Sequence, residues 1–383
     1  MPKLVRKRQL VAKIETTEGT AETLTSSDAG YLVEELNLDS DRDMYERNPV
    51  RETISRKGKV TGKKKGTIPF KMMVRGSGSV TTAPKIGTLL QACAFGEDAL
   101  EQITIGAITG GPFVNGETIT GGTSTETATV VVDTATGTTT LYFKDASGAF
   151  DSGEVLTGST SGATATTGSI PSDAGFVYQP TSVYADIKSL TMAAYEDGQI
   201  KKYKGCRGTV GLSCETGQPL SAAFDFMGVE ESIIDGTLLT GVTYESEVEP
   251  IALNTDFTAN DVALVVGSLS LDVQNTVAPR DSIADVNGIL SYMITDRQPQ
   301  GSLDPESEAL STFDWFALQA ANTEIPMDFT IGATVGNKFR FVVPTAQVTK
   351  VTGADREGIM IDDVAFDMNG AGNGDNELII LAL

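Results

Sequence analysis

An order of strand, turn and helix occurs twice in this chain, and that repetition limits the possible folds more than any other feature. In the first copy, Thr67 to Val74 alternates β-branched and aromatic residues with polar ones, and Gly76 to Ser79 follow as a turn. Pro84 then suits the first turn of a helix. The apolar face of that short helix would be formed by Ile86, Leu89, Leu90 and Cys93. The pattern predicts a strand and a helix that both pack on a core.

The second copy of this order is weaker and begins at Gly288. It has an apolar strand through Ile294, a predicted turn at Gly301–Ser302, and Pro305 ahead of a helix. The predicted buried stripe of that helix is Leu310, Phe313, Phe316, Ala317 and Ala320. The hexapeptides AFDFMG at 223–228 and AFDMNG at 365–370 close the two halves. We therefore predict a duplicated module, with chance similarity of two β modules as the alternative.

Composition favours strands over helices throughout the chain. Of its 383 residues, 40 are glycine and 40% are hydrophobic, and the apolar runs are short. This length predicts two or three domains with substantial cores. We expect a mainly β protein in three parts: a first module at 1–97 plus 174–249, a small inserted all-β domain at 98–173, and a second module at 250–383.

The segment 98–173 contains a shorter repeat of its own. The sequence FVNGETITGGTS at 113–124 recurs as FDSGEVLTGSTS at 150–161, and each copy continues into a Thr-Ala-Thr triplet. We predict two β-hairpin-like units that pack together, because each is too small to bury a core alone. A flexible linker is the alternative, and the alternation of Ile, Val, Leu and Phe argues against it.

Charge is unevenly distributed along the chain. The formal net charge is −22, yet the first 75 residues hold 16 of the 29 basic and 11 of the 51 acidic residues, so they carry about +5 and the remainder about −27. Most of this surface would repel nucleic acid, because affinity for phosphate comes from basic side chains. The charged segment 37–65 is predicted to be a long exposed loop or a hairpin. Its basic run at 56–65 is either a solvated loop or an arm that docks on the acidic part of another copy.

The side chains offer little for catalysis. The chain has no histidine, which excludes Ser-His-Asp and Cys-His systems and histidine-ligated zinc. Asp39-x-Asp41-x-Asp43 resembles the start of a calcium-binding loop, but Met44 stands where glycine is required. Carboxylate pairs such as Asp362–Asp363 are expected in turns or facing solvent. We predict no catalytic, cofactor-binding or metal-binding residues and no enzymatic activity.

Cysteine usage and hydropathy indicate where the chain folds. Three cysteines without a CxxC spacing predict no disulfide framework and folding in a reducing cytoplasm. No apolar run reaches the length of a signal peptide or a membrane span, so no membrane association is expected. The apolar end at 377–383 is expected to pair as a strand, within the subunit or with a neighbour.

A series of short segments, none of them diagnostic alone, occurs in a specific order. They are ETTEGT at 15–20, ERNPVR at 46–51, GTLLQACAF at 87–95, GSLDP at 301–305, REG at 356–358 and NEL at 376–378. Together they resemble the tail tube (major tail) proteins of long-tailed bacteriophages. The resemblance covers most of the chain except 98–173.

The resemblance implies a structural virion protein with a β-barrel or sandwich and a flanking helix in each module. In such tubes, subunits form rings, the rings stack, and DNA passes through the bore without specific binding. Two modules per chain favour a trimeric ring with pseudo-sixfold symmetry, whereas one module per chain would require a hexamer. The implied partners are further copies of this chain, the tape measure protein, the tail terminator and the distal tail proteins. The implied location is the virion tail, after folding in the host bacterial cytoplasm.

The segment 37–65 is the candidate for contact between stacked rings, where its positive charge would meet a neighbour's acidic surface. Its candidate contact residues are Arg47, Arg51, Arg56, Lys57, Lys59, Lys63, Lys64 and Lys65. The segment 98–173 is expected on the outside of the tube. The alternative function is a surface adhesin whose Gly/Thr-rich domain binds carbohydrate, which would form monomers or trimers instead of long polymers.

Overall fold

Strands make up 52% and helices 4% of the computed structural model, so the prediction of a mainly β protein is confirmed. The structure describes residues 4, 6–135, 137–253, 255–372 and 374–383. The predicted first module includes residues 1–3 and 5, and the other two predicted parts include residues 136, 254 and 373, all of which lie outside the described residues. Besides one 3-10 turn at Ser26–Asp28, the helices are α1 (Ile86–Gln91) and α2 (Trp315–Ala321).

The strands are numbered in chain order. In the first half they are β1 (Arg8–Ile14), β2 (Val33–Glu34), β3 (Asp39–Tyr45), β4 (Val60–Met73), β5 (Phe95–Thr104), β6 (Thr118–Gly121), β7 (Thr127–Val130), β8 (Thr140–Lys144), β9 (Val155–Gly158), β10 (Thr164–Thr166), β11 (Ser172–Pro180), β12 (Leu190–Glu196), β13 (Gln199–Glu215) and β14 (Ser221–Asp235). In the second half they are β15 (Asp256–Ala259), β16 (Val262–Ala263), β17 (Val266–Asp272), β18 (Asn275–Asp281), β19 (Ile289–Arg297), β20 (Gln300–Pro305), β21 (Glu324–Thr334), β22 (Asn337–Arg356), β23 (Ile359–Met368) and β24 (Ile379–Ala382).

A run of seven antiparallel strands forms the centre of the molecule. Its order is β4-β14-β13-β17-β20-β23-β22, so strand β17 joins a triplet of the first half to a triplet of the second. The hexapeptide 223–228 lies in β14 and the first four residues of the hexapeptide 365–370 lie in β23, and these are the middle strands of the two triplets. One large apolar core extends through both halves, and it includes Phe70, Phe224 and Phe226 as well as Phe341 and Phe366.

The closed barrel that the resemblance allowed is not formed. Among the described residues, the pairings of the central strands contain no closed cycle. The reason is that the two outer edges of the central run are taken by other strands. Strands β2 and β3 pair with β4, and strands β21 and β24 pair with β22, so the edges do not meet.

The first strand and helix lie where the sequence predicts them. Strand β4 leads through a turn into α1, and the Gly87 amide donates to the Pro84 carbonyl at 2.9 Å. The predicted apolar face is buried at Ile86, Leu89, Leu90 and Cys93. This prediction is confirmed because both elements are determined by local periodicity.

The predicted turn at Gly301–Ser302 is wrong. Both residues lie inside β20, paired with β17 on one side and β23 on the other. A Cβ atom on Gly301 would lie 2.3 Å from Cζ of Phe366. Glycine stands here because the aromatic ring occupies the space of a side chain, not because the chain turns.

The buried stripe predicted for the second helix is also wrong. Helix α2 begins only after Asp314, whose Oδ1 accepts a hydrogen bond from the Ala317 amide at 2.8 Å, as an N-cap does. Phe313 and Trp315 are buried with ring centroids 4.5 Å apart. The remaining predicted positions, Leu310, Phe316, Ala317 and Ala320, are exposed. Because the helix starts later than predicted, different side chains face the core. Only the first turn of the helix packs on the core.

The ends of the chain pair as strands. Strand β1 pairs along its length with β12. Strand β24 lies between β11 and β22, and Ile379, Ile380 and Leu381 are buried. The predicted pairing of the apolar end is confirmed, and it occurs within the subunit.

The two short repeats form hairpins that pack together, as predicted. Hairpin β6–β7 and hairpin β9–β10 are joined by pairing of β6 with β9 around a separate small core. Glu117 accepts hydrogen bonds from Val114 in its own repeat and from the Thr160 and Ser161 amides in the other. The equivalent residue of the second repeat, Glu154, bonds the first repeat in the same way. The two carboxylates therefore lock the repeats together reciprocally.

In the part of the chain that the structure describes, neither helix has the length or apolar character to cross a membrane.

Candidate assembly surfaces

The charged segment 37–65 is a projecting hairpin, in agreement with the predicted exposed loop or hairpin. Strands β3 and β4 pair from Asp39↔Thr67 out to Tyr45↔Val60. Strand β14 supports β4 only from Gly66 onward, so the outer part of the hairpin extends beyond the sheet. We call residues 39–65 the arm and residues 46–59 the arm tip.

Two of the three lysines at the base of the arm form ion pairs within the chain. Lys63 Nζ lies 2.5 Å from Asp281 Oδ2, and this hydrogen bond raises the pKa of Lys63. Lys65 Nζ lies 3.2 Å from Asp41 and 3.0 Å from Asp43, and hydrogen bonds from those carboxylates raise its pKa. Lys64 makes no ion pair with any described residue, although its amide donates to the Asn287 carbonyl at 3.2 Å. Two of the three lysines thus stiffen the arm, and Asp41 and Asp43 are ion-pair partners of Lys65.

The arm tip is held in shape by its own side chains. Arg56 pairs with Glu46, and Lys59 Nζ lies 3.2 Å from the same carboxylate. Arg47 Nε donates to the Gly58 carbonyl at 2.9 Å, and Arg51 donates to the Ser55 carbonyl. Lys57 has no ion-pair partner among the described residues. With five basic and two acidic side chains, the tip keeps a net positive charge.

Two apolar side chains stand fully exposed at the arm tip. The relative exposures of Val50 and Ile54 are 104% and 108%. The neighbouring hairpin β18–β19 presents Ile283 and Val286 in the same manner. The sequence analysis overlooked these residues, although isolated Val and Ile within a charged run were a visible signal. Because they stand together on one projecting tip, Val50 and Ile54 are candidates for a contact surface.

An apolar groove of about 380 Å³ lies at the other end of the central strands. It is lined by Leu253, Phe257, Val265, Leu269, Phe329 and Glu215, among others. Leu253 is 64% exposed and Val265 is 57% exposed, so the groove is open to solvent. The sequence analysis did not find this groove, because its walls come from β13, β15, β17 and β21, which are distant in the chain.

The strand register places the arm and the groove at opposite ends of the molecule. Gly66, at the base of the arm, pairs with Gly228, whereas Met73 pairs with Ser221 at the far end of the same ladder. From there the register continues to Glu215, which pairs with Ser268 in the wall of the groove. Seven residues of strand separate the two ends of the β4–β14 ladder, or roughly 23 Å.

An ion pair between buried Arg207 and half-buried Glu18 joins the N-terminal segment to both halves. The Arg207 guanidinium is buried and donates to the carbonyls of Tyr292 at 2.6 Å and Ile187 at 2.9 Å. Its Nη1 lies 3.3 Å from Glu18 Oε1. Burial acts to raise the pKa of Glu18, but hydrogen bonds from Ser291 and Tyr184 and the charge of Arg207 together lower it to about 2. This cluster stabilises the subunit beneath the arm.

No group of three or more histidine, cysteine, aspartate or glutamate side chains is arranged to hold a metal ion among the described residues. Acidic side chains that lie near one another in the sequence form hydrogen bonds and ion pairs within the fold instead. Asp304 accepts the Gly267 amide at 2.9 Å and lies 3.2 Å from Arg356.

The fold and these surfaces define a mainly β protein with a basic arm at one end and an apolar groove at the other. A family model described as "Phage tail tube protein" matches residues 6–370, and the chain belongs to this family. The resemblance drawn from the short segments is thereby confirmed, and the match spans the 98–173 segment as well. The protein is a structural component of the phage virion. No match is found among curated proteins.

Proposed function

We propose that copies of this chain polymerise as stacked rings into the phage tail tube, through which DNA passes to the host. Membership of the tail tube family supports this function. The proposed assembly mechanism is supported by the arm. This charged hairpin extends beyond the sheet and carries the fully exposed side chains of Val50 and Ile54. The chain acts as a building unit and not as an enzyme.

The proposed ring is a trimer with pseudo-sixfold symmetry. The triplets β4-β14-β13 and β20-β23-β22 have the same strand order, and in each half a helix follows the first strand of the triplet. This equivalence supports two tandem tube modules, so that three chains supply six modules to a ring. A hexameric ring is the alternative, and the mass of an isolated ring distinguishes the two.

DNA in transit is proposed to slide without specific binding. The residues beyond Arg75 carry 40 of the 51 acidic and 13 of the 29 basic residues. A bore lined by acidic side chains repels phosphate and prevents adhesion. At its ends the tube would contact the tape measure protein, the tail terminator and the distal tail proteins. Folding is placed in the host bacterial cytoplasm.

The arm is proposed as the contact between stacked rings, through Arg47, Arg51, Arg56, Lys57, Lys59, Lys63, Lys64 and Lys65. The direct contact falls mainly to the tip, because the tip extends beyond the sheet and keeps a net positive charge after its internal ion pairs are counted. The 98–173 segment is placed on the outside of the tube.

The test is negative-stain microscopy and sedimentation of the purified full-length chain across a range of salt concentrations. We expect long tubes of uniform width that shorten as salt rises, since exposed charge pairs are screened. Particles that remain monomeric or trimeric and bind glycans would overturn the proposal in favour of the adhesin. A bore found to be mainly positive would overturn the role proposed for the acidic side chains.

A further inference from the structure

We propose that the arm tip of one copy seats in the apolar groove of the next copy along the tube, with Val50 and Ile54 as its apolar anchors. This inference rests on the proposed function, because it specifies the two surfaces that meet between rings. It commits to a second copy of this chain as the occupant of the groove.

The apolar surfaces match in kind. Val50 and Ile54 are fully exposed in the isolated subunit, and the groove offers Leu253 and Val265, which are more than half exposed. Below them the groove floor consists of buried aromatic side chains, including Phe257 and Phe329. Covering both surfaces in one contact removes exposed aliphatic area from water on each side.

The charges around the two surfaces are complementary. The tip carries Lys57 without an ion-pair partner among the described residues. Glu215 lines the groove. At the border, Asp304 and Glu306 share one cation, Arg356, which lies beside Gly267, so this part of the border also keeps a net negative charge. A basic tip and an acidic border favour this pairing over contact between two like-charged tips.

The placement of the two surfaces allows the same contact to repeat from one copy to the next. They lie at opposite ends of the same strands, so one copy can offer its arm to a second copy while receiving the arm of a third. A contact between two different surfaces repeats along an axis and generates a filament, whereas a symmetric contact between two arms would stop at a pair. The register therefore supports growth along the strand direction.

The first experiment is a charge exchange in the full-length chain, with the critical concentration for tube formation measured by sedimentation. Lys57→Glu and Glu215→Lys are each expected to raise it about two- to fivefold, and the double variant is expected to return toward wild type. The matched control combines Lys57→Glu with Asp173→Lys on the inserted segment, which should give no rescue. A double variant no better than the single variants, or equal rescue by the control, overturns the inference.

The second experiment removes the anchors. Val50→Ser with Ile54→Ser is expected to raise the critical concentration by at least about tenfold, because two aliphatic side chains lose their burial. The control is Ile170→Ser, an exposed aliphatic residue on the inserted segment that should have no effect. If wild type forms tubes and the double serine variant forms them equally well, the groove contact is wrong and the proposed function stands. If wild type forms no tubes at all, the proposed function itself fails.

Discussion

At the scale of single residues, the Glu18–Arg207 pair is expected to contribute to the stability of the subunit. Removing the carboxylate leaves a buried guanidinium facing only neutral partners. We expect Glu18→Gln to lower the free energy of unfolding by about 1–3 kcal/mol at neutral pH. The control is Glu357→Gln at an exposed turn, which should leave the free energy unchanged.

The same pair predicts a pH dependence. The pKa of Glu18 is lowered from its ordinary value of 4.5 to about 2, so its contribution is complete above pH 4.5 and is lost as the pH falls toward 2. Urea unfolding of the wild type and Glu18→Gln should therefore give a difference at pH 7 that shrinks between these values. A difference that stays constant down to pH 2 would contradict the assignment.

Gly301 offers a second residue-scale prediction. Because a Cβ atom would lie 2.3 Å from the Phe366 ring in a central strand, Gly301→Ala is expected to destabilise the protein by about 1–3 kcal/mol. Gly353→Ala is the matched control, since Gly353 lies in β22 and a Cβ there would meet nothing within 4 Å. Equal thermal unfolding temperatures for the two variants would show that the ring does not require the glycine.

At the scale of elements, the inserted hairpins depend on their exchanged carboxylates. Burial acts to raise the pKa of Glu117 and of Glu154, but hydrogen bonds from backbone amides and serine hydroxyls lower both below the ordinary value. Glu117→Gln and Glu154→Gln should each destabilise the hairpins by about 1–3 kcal/mol, because an amide offers one acceptor oxygen in place of two. Hydrogen exchange of β6 and β9 measures this loss.

The control for that prediction is Glu126→Gln, since Glu126 accepts one hydrogen bond, from Ser147 Oγ at 2.6 Å. Lowered pKa values also mean that the hairpins lose stability as the pH falls below the ordinary carboxyl range. Exchange rates that respond equally to all three substitutions would contradict a special role for the exchanged pair.

At the scale of the whole molecule, the inserted segment should be dispensable for assembly. Thr104 Oγ1 and Ser169 Oγ lie 2.8 Å apart, so residues 105–168 can be replaced by a short turn. Tubes of smaller outer diameter should form, at a lower melting temperature, because Val131 and Val132 no longer cover Ile379. A folded deletion variant that forms no tubes in micrographs would show that the segment belongs to the ring contacts.

Local patterns were sufficient for some elements and failed for others. Strand β4, helix α1 and the hairpins around Glu117 and Glu154 follow from periodicity and turn residues within about twenty positions. The pattern failed at Gly301, which was interpreted as a turn residue, and at α2, whose start depends on the Asp314 cap and on burial of Trp315. In both cases the deciding contact comes from packing that a local window does not contain.

The sequence by itself determined that this is a mainly β protein of the tail tube family. It also predicted repeated modules and an exposed charged loop or hairpin at 37–65. These properties depend on composition, periodicity and the order of short segments. Only the tertiary structure decided that the arm tip and the apolar groove lie at opposite ends of the same strands. That arrangement is created by long-range register, from Gly66 with Gly228 to Glu215 with Ser268, and no local preference of the chain specifies it.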